Sequence, residues 1–190
     1  MLAHLREKTH QLGIRLHFLL IVGLPQETRE SLVATYDLIQ RYKPDTIGVT
    51  IITPYPGTPL HKEGLREGWI DSQQWKDYGG HQIPMHTPNL ARADMEAGKQ
   101  FLEEGFALLQ RRQVGGHSKP LEAMAQQHYE RLLRWAYRLD GPVAQLRELL
   151  AAAPKLPQAS AQPSVNHAVR QAPSPARFAL TVVIPTYNRR

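Results

Sequence analysis

Residues 14–52 read IRLHFLLIVGLPQETRESLVATYDLIQRYKPDTIGVTII, and this stretch decides the fold. Residues 14–22 are apolar apart from an arginine and a histidine, and Gly and Pro follow closely, which is typical of a parallel strand buried on both faces. A helix is predicted over Thr28–Tyr42, and a second, β-branched strand over Thr46–Ile52. This order predicts a βαβ unit whose two strands are parallel.

The loop after the second strand is rich in proline. Residues 53–61, TPYPGTPLH, contain three prolines and a glycine, which are incompatible with regular structure. Pro56-Gly57 fits the two central positions of a type II turn, because glycine there supplies the positive φ. A short helix is then predicted over Pro59–Glu67.

Helical periodicity recurs along the rest of the chain. Apolar residues at three- and four-residue intervals predict helices in four further stretches, at 2–12, 91–112, 120–139 and 142–152. Residues 154–177 contain five prolines and no aromatic side chain, which predicts an extended, disordered linker. Residues 179–184, ALTVVI, have the composition of a buried strand, and we expect that strand to be isolated.

Composition excludes several classes of protein. The 190 residues include no cysteine, so disulfides and thiolate metal sites of its own are ruled out. The formal net charge is +6, and five basic residues without an acid lie in 149–190, too dispersed for a nucleic-acid footprint. No apolar run approaches the length of a membrane span, roughly 20 residues, and no signal peptide is evident. We expect a cytoplasmic protein without nucleic-acid or membrane partners.

Two motifs resemble a known family. Gly23-Leu24-Pro25 with Glu27-Thr28, and Pro54-Tyr55-Pro56-Gly57-Thr58 followed by Gly68-Trp69, resemble two loops in the C-terminal third of radical S-adenosylmethionine enzyme cores. The resemblance covers residues 1–112 and is greatest to the subgroup with an N-terminal cobalamin-binding domain. Gln26 stands where that family usually has glycine.

The resemblance implies a fold and a binding role. The fold is α/β: an incomplete, partial β/α barrel fragment that retains the last two of six strands. Ligands of parallel barrels lie at the carboxyl ends of the strands. The implied ligand is the adenosine half of S-adenosylmethionine, and the implied cofactor-binding residues stand at the two strand ends: Gly23, Leu24, Pro25, Glu27, Thr53 and Tyr55.

The absence of cysteine limits what this chain can do alone. The family holds a [4Fe–4S] cluster on three thiolates, which this chain lacks. We therefore predict no catalytic residue and no metal ligand, and expect the chain to be inactive without the missing N-terminal half of the barrel as its partner. Cobalamin is a further candidate cofactor of the parent enzyme.

The C-terminal residues resemble a second family. LTVVIPTYNR, residues 180–189, is similar to the first strand and nucleotide-binding loop of family 2 glycosyltransferases. The resemblance implies vestigial nucleotide-sugar contacts by Thr186, Tyr187 and Arg189.

The predicted organisation has four parts. They are the barrel portion, a helical extension, the linker and the start of a truncated glycosyltransferase-like domain, at 1–112, 113–153, 154–178 and 179–190. Two alternatives to the radical enzyme fragment stay open. One is the N-terminal accessory region of a glycosyltransferase that uses a nucleotide sugar, and the other is a non-catalytic helical interaction module.

Overall fold

The computed structural model describes residues 2–79, 83–115, 118–139 and 179–185, the last of these for the backbone alone. The elements in chain order are α1 (Leu2–Gln11), β1 (Arg15–Val22), α2 (Arg29–Tyr42), β2 (Thr46–Ile51), α3 (Pro59–Arg66), a 3-10 turn (Trp75–Tyr78), α4 (Arg92–Gly115), α5 (Lys119–Tyr137) and β3 (Ala179–Pro185).

The predicted βαβ unit is present. β1 and β2 pair in parallel, from His17 beside Thr46 to Val22 beside Ile51, and α2 connects them. Burial along β1 alternates: one face is fully buried, and the other is only half-buried. The prediction of a strand buried on both faces was therefore wrong: Leu16, Phe18, Leu20 and Val22 lie in the core shared with the helices, whereas the residues between them keep partial exposure.

Local chemistry sets the ends of α2. Thr28 caps its N-terminus: the Thr28 hydroxyl accepts from the Ser31 N–H, and the Ser31 hydroxyl accepts from the Thr28 N–H. Lys43 ends the helix in the left-handed conformation, with its N–H donating to the Ile39 carbonyl. An N-cap such as that of Thr28 stabilises a helix by about 1 kcal/mol. The Thr28–Tyr42 prediction is confirmed to within one residue.

A layer of three helices covers the sheet. α2, α4 and α5 contact one another, and α4 also packs on β2 and β1. Close approach of α2 and α4 depends on Gly98 and Gly105, where a Cβ would overlap Leu32 and Tyr36 respectively. The side chains that are fully buried in this core come from both layers: Leu16, Phe18, Leu20, Val22, Leu32, Ile39, Leu90, Met95, Leu102 and Leu132.

The terminal strand is paired, which corrects the prediction of an isolated strand. β3 lies parallel to β1 on the side away from β2, so the strand order is β2-β1-β3. Local sequence patterns show that a segment can be a strand but carry no information about a partner so distant in the chain. The described sheet is open and is not a closed barrel; the fold is mixed α/β. The predicted helix over 142–152 and linker over 154–178 lie outside the described residues.

Candidate functional site

Two loops leave the sheet at the same end, where β1 and β2 both terminate. Because β1 and β2 are parallel, their carboxyl ends lie side by side, and Ile52 N–H donates to the Val22 carbonyl at 2.8 Å. The first loop, residues 23–28, connects β1 to α2. The second, residues 52–58, connects β2 to α3. Both sequence motifs are thus brought to one end of the sheet, where parallel α/β folds place their ligands.

The first loop is organised around a buried carboxylate. Glu27 is fully buried, and its Oε2 accepts a hydrogen bond from the Gly23 N–H at 2.5 Å. The Glu27 N–H in turn donates to the Leu24 carbonyl at 2.9 Å, which closes a tight turn. In this structure Glu27 therefore holds the shape of the loop from inside and does not reach the surface.

Gly23 is tightly enclosed. Its φ is +99°, and a Cβ added there would lie 2.8 Å from Met95 Sδ and 3.1 Å from Ile52 Cγ2. The sequence predicts close backbone approach of a ligand at this glycine, and that role stays a prediction. In the structure, the side chains of Met95 in α4 and of Ile52 lie next to Gly23. Asn89, just before α4, adds a hydrogen bond from its Nδ2 to the Pro25 carbonyl at 3.3 Å.

The second loop contains the predicted type II turn. Gly57 has φ +89°, and the Thr58 N–H donates to the Tyr55 carbonyl at 3.1 Å. The Thr58 side chain then caps α3 by accepting from the His61 N–H. This arrangement leaves the Tyr55 ring 52% exposed at the tip of β2. The prediction of a turn followed by a short helix is confirmed.

A cleft of about 670 Å3 lies between β2 and α4. Isoleucine and valine side chains predominate along the strand side, together with two threonines and a tyrosine, and the helix side is polar. The lining residues are Ile21, Val49, Thr50, Ile51, Ile52, Thr53, Tyr55, Ile83, Glu96, Lys99, Gln100 and Glu103.

The structure divides the predicted site residues into two groups. Thr53 and Tyr55 line the cleft together. The four residues of the first loop, Gly23, Leu24, Pro25 and Glu27, are at the same end of the sheet but are not part of the cleft lining. Thr186, Tyr187 and Arg189 lie outside the described residues, so their nucleotide-sugar role stays a prediction.

Sequence reasoning missed the helix side of the cleft. Its four polar residues, Glu96, Lys99, Gln100 and Glu103, recur at helical spacing on one face of α4. That pattern was the available signal, but the solvent-exposed face of any amphipathic helix shows the same one.

Three side chains of the helical layer, Tyr36, Asp37 and Tyr129, have pKa values raised by burial. Burial raises the pKa of Tyr36 to about 12. Burial also raises the pKa of Tyr129, with a contribution from the neighbouring Asp37 carboxylate, and raises the pKa of Asp37 itself. These groups pack α2 against α5, so their shifts reflect the interior of the fold and do not indicate acid–base catalysis.

Two of the described histidines, His17 and His86, have polar partners within the fold. His17 is half-buried, with its Nδ1 2.7 Å from the Thr46 hydroxyl, as expected for a histidine satisfied by the fold. His86 Nδ1 lies 2.9 Å from Asp71, whose other oxygen accepts from Arg92 at 3.1 Å. Within the part of the chain that the structure describes, no three His, Asp or Glu side chains are grouped as metal ligands. In the same residues, no helix combines the length and apolarity needed to cross a bilayer.

Comparison with known proteins gives distant, partial similarities. No protein-family profile matches the chain. An uncharacterized methyltransferase of Pyrococcus horikoshii is 37% identical over 58 residues, which are 30% of this chain and 13% of that protein. A probable threonylcarbamoyladenosine tRNA methylthiotransferase of Pyrococcus abyssi is 39% identical over 57 residues, with the same shares. Its counterpart in Archaeoglobus fulgidus is 27% identical over 90 residues, 47% of this chain and 19% of that protein. The similarity thus spans less than a fifth of each of these relatives.

Proposed function

We propose that this chain carries the last two strands of a radical S-adenosylmethionine core and contributes the binding site for the adenosine half of that cofactor. The observation that carries the proposal is the position of the two family-like loops side by side at the carboxyl ends of the parallel pair β1–β2. Similarity to proteins named as a methyltransferase and as methylthiotransferases supports it, because both transfers need a source of the methyl group and S-adenosylmethionine is a methyl donor.

The cleft between β2 and α4 fits a nucleoside. Its volume, about 670 Å3, lies within the range of small-molecule sites, roughly 300–1,000 Å3. The half-exposed Tyr55 ring can stack on a purine, and Ile52 and Ile83 offer an apolar wall. Carboxylates on α4, Glu96 and Glu103, can accept hydrogen bonds from ribose hydroxyls.

The residues present do not fit an iron–sulfur cluster. Such a cluster needs thiolates, and the 190 residues contain none. We therefore derive no chemical step through it. When bound, S-adenosylmethionine would supply the reactive sulfonium group, and the part of this chain is to bind and orient the nucleoside end. Whether cobalamin takes part stays a prediction.

Binding of S-adenosylhomocysteine, a stable analogue with the same adenosine group, tests the proposal. Saturation-transfer NMR on the full chain should show transfer to the purine protons. Tyr55→Ala should weaken binding by roughly five- to tenfold, since loss of one stacking contact costs about 1 kcal/mol. Trp75→Ala is the matched control, because Trp75 is 75% exposed and does not line the cleft.

Two results would contradict this assignment. One is an absence of transfer to the purine at millimolar ligand in a folded sample. The other is equal binding by the unmodified chain and the Tyr55 variant.

A further inference from the structure

β3 lies along the edge of β1 that faces away from β2, here called the outer edge of β1. The pairing runs in parallel from Arg15 beside Ala179 to Ile21 beside Pro185. Among the elements that the structure describes, β1 is the one with which β3 makes extensive contact. Within the part of the chain that the structure describes, the backbone contacts of β3 are thus concentrated on this edge.

The direction of each peptide group along β1 follows from its bonds to the β2 side. The Leu16 carbonyl accepts from the Asp45 N–H, and the Val22 carbonyl accepts from the Ile52 N–H, both at 2.8 Å. The N–H and C=O of one strand residue point the same way, and successive residues point in opposite directions. Even-numbered residues of β1 therefore bond toward β2, and the odd-numbered residues, His17, Leu19 and Ile21, present their N–H groups to β3.

The same geometry identifies the donors of β3. In a parallel ladder, an odd-numbered residue of β1 bonds to the two neighbours of its partner residue. The register therefore makes Leu180, Val182 and Ile184 the residues whose N–H groups point toward β1. Pro185, which has no N–H, falls at a position where that group would point away from β1. A proline is tolerated there, as it is on edge strands generally.

We propose that the outer edge of β1 is a docking site for one parallel strand, and that β3 is its reversible occupant, supplied by the chain itself. β2 has a second attachment, because α4 packs against it and its Val49 is buried. The described attachment of β3 is its ladder of backbone hydrogen bonds to β1, each of which contributes modestly in water. We therefore expect β3 to open while β1, β2 and the helical layer remain intact.

Docking of β3 has a consequence for assembly that rests on the proposed function. If β1 is the fifth strand of a six-stranded core, the strand that precedes it must pair with the same outer edge. A strand edge accepts one neighbour, so β3 and that strand exclude each other. Occupancy by β3 also protects an edge that would otherwise be open to aggregation.

Hydrogen exchange of individual amides in the unmodified chain tests reversibility. The outer-edge amides of His17, Leu19 and Ile21 should be protected, but should exchange roughly tenfold faster or more than those of Phe18, Leu20 and Val22 on the same strand, since β3 opens locally. Equal rates in the two sets would overturn the proposal, because β3 would then open only with the core. Absence of protection at the outer-edge amides would overturn it as well.

Two proline variants test the register. Val182→Pro removes an N–H that points toward β1, whereas Val183→Pro, the matched control, removes one that points away. The first variant should abolish protection of the three outer-edge amides, and the second should leave it nearly unchanged. A synthetic ALTVVIP peptide, residues 179–185, should restore protection to the Val182 variant.

Two outcomes of the proline experiment would overturn the proposal. They are equal protection in the two proline variants and failure of the peptide to restore it. Protection of the amides that bond to β2 reports in each sample that the core is folded. If the Val182 variant does not fold, the comparison within the unmodified chain decides alone. None of these measurements uses the cofactor, so their failure is distinguishable from failure of the proposed function.

Discussion

Gly23 and Gly57 both have left-handed φ angles, +99° and +89°, but their surroundings differ. Gly23 is pressed against Met95 and Ile52, whereas a Cβ on Gly57 would meet no atom within 4 Å. The two positions therefore separate the cost of backbone strain from the cost of overlap with neighbours.

Alanine substitutions should reveal that difference. Gly57→Ala should lower the free energy of unfolding by about 1–2 kcal/mol, the cost of left-handed backbone in a non-glycine residue. Gly23→Ala should cost at least about 1 kcal/mol more, because overlap in a packed interior adds to the strain. Urea denaturation measures both. Equal decreases in the free energy of unfolding would show that the Met95 side chain moves away from residue 23 at no cost.

His128 is a second residue whose surroundings define its behaviour. Its Nε2–H donates to the Phe101 carbonyl at 2.9 Å, and its Nδ1 faces Glu104 at 3.9 Å. Burial lowers the pKa of His128, although the Phe101 carbonyl and Glu104 favour the charged form; Arg131 adds a small effect in the same direction as burial. The Tyr36 ring lies against the imidazole, edge to face.

Stability should depend on pH through His128. Since its pKa is lowered by folding, its contribution is fully present above the unfolded value, about 6.5, and is lost as the pH falls through the folded value. The unfolding midpoint in urea should therefore decrease from pH 7 toward pH 5. His128→Gln should flatten that decrease between those pH values. An unchanged slope in the variant would assign the dependence to other groups.

The sequence predicts residue roles that depend on local conformation, but not the surroundings that a side chain has in the fold. Gly57 and Thr28 could be predicted because a turn and a helix cap need particular residues locally. Glu27 was predicted to bind a cofactor, and that role stays a prediction; the structure places the residue buried beneath its loop. Charge alone does not show whether a carboxylate faces solvent or a backbone N–H. Tyr55 was predicted to bind a cofactor, and the structure places it in the cleft lining. The polar residues of α4 that line the same cleft were not predicted, because their proximity depends on packing between distant segments.

At the scale of elements, local signals defined ends and tertiary packing defined partners. Gly13 ends α1 with φ +67°, and the proline-rich loop separates β2 from α3, as predicted. The pairing of β3 with β1 could not be predicted, because strand composition is the same for any partner. The half-buried second face of β1 was missed for a related reason: a continuous apolar run does not show how many layers cover it.

At the scale of the whole molecule, one core includes elements from both sides of the predicted boundary at residue 112. Leu132 of α5 is fully buried in the same cluster as Phe18 of β1 and Leu102 of α4. α5 therefore belongs to the packing that supports the sheet. A helical module that folded separately from β1 would have to expose this cluster.

Substitution of Leu132 by alanine tests whether α5 and the sheet unfold as one cooperative unit. Leu132→Ala should lower the free energy of unfolding by about 2–5 kcal/mol, as is usual for a leucine buried in a core. Exchange protection in β1 and in α5 should fall together, since both belong to one cooperative unit. Val114→Ala is the control, because Val114 is 91% exposed. Loss of protection confined to α5 would support a separate helical module.

α4 contacts both the β1–α2 loop and the cleft beside β2. It is 24 residues long, about 36 Å of rigid rod at the standard rise. Met95 in its first turn presses on Gly23, and the turns that carry Glu96, Lys99 and Glu103 form one wall of the cleft. One helix therefore contacts the β1–α2 loop with its first turn and lines the cleft with the turns that follow. An occupant of the cleft that displaces α4 would therefore also move Met95 relative to Gly23, and with it the loop in which Glu27 accepts the Gly23 N–H.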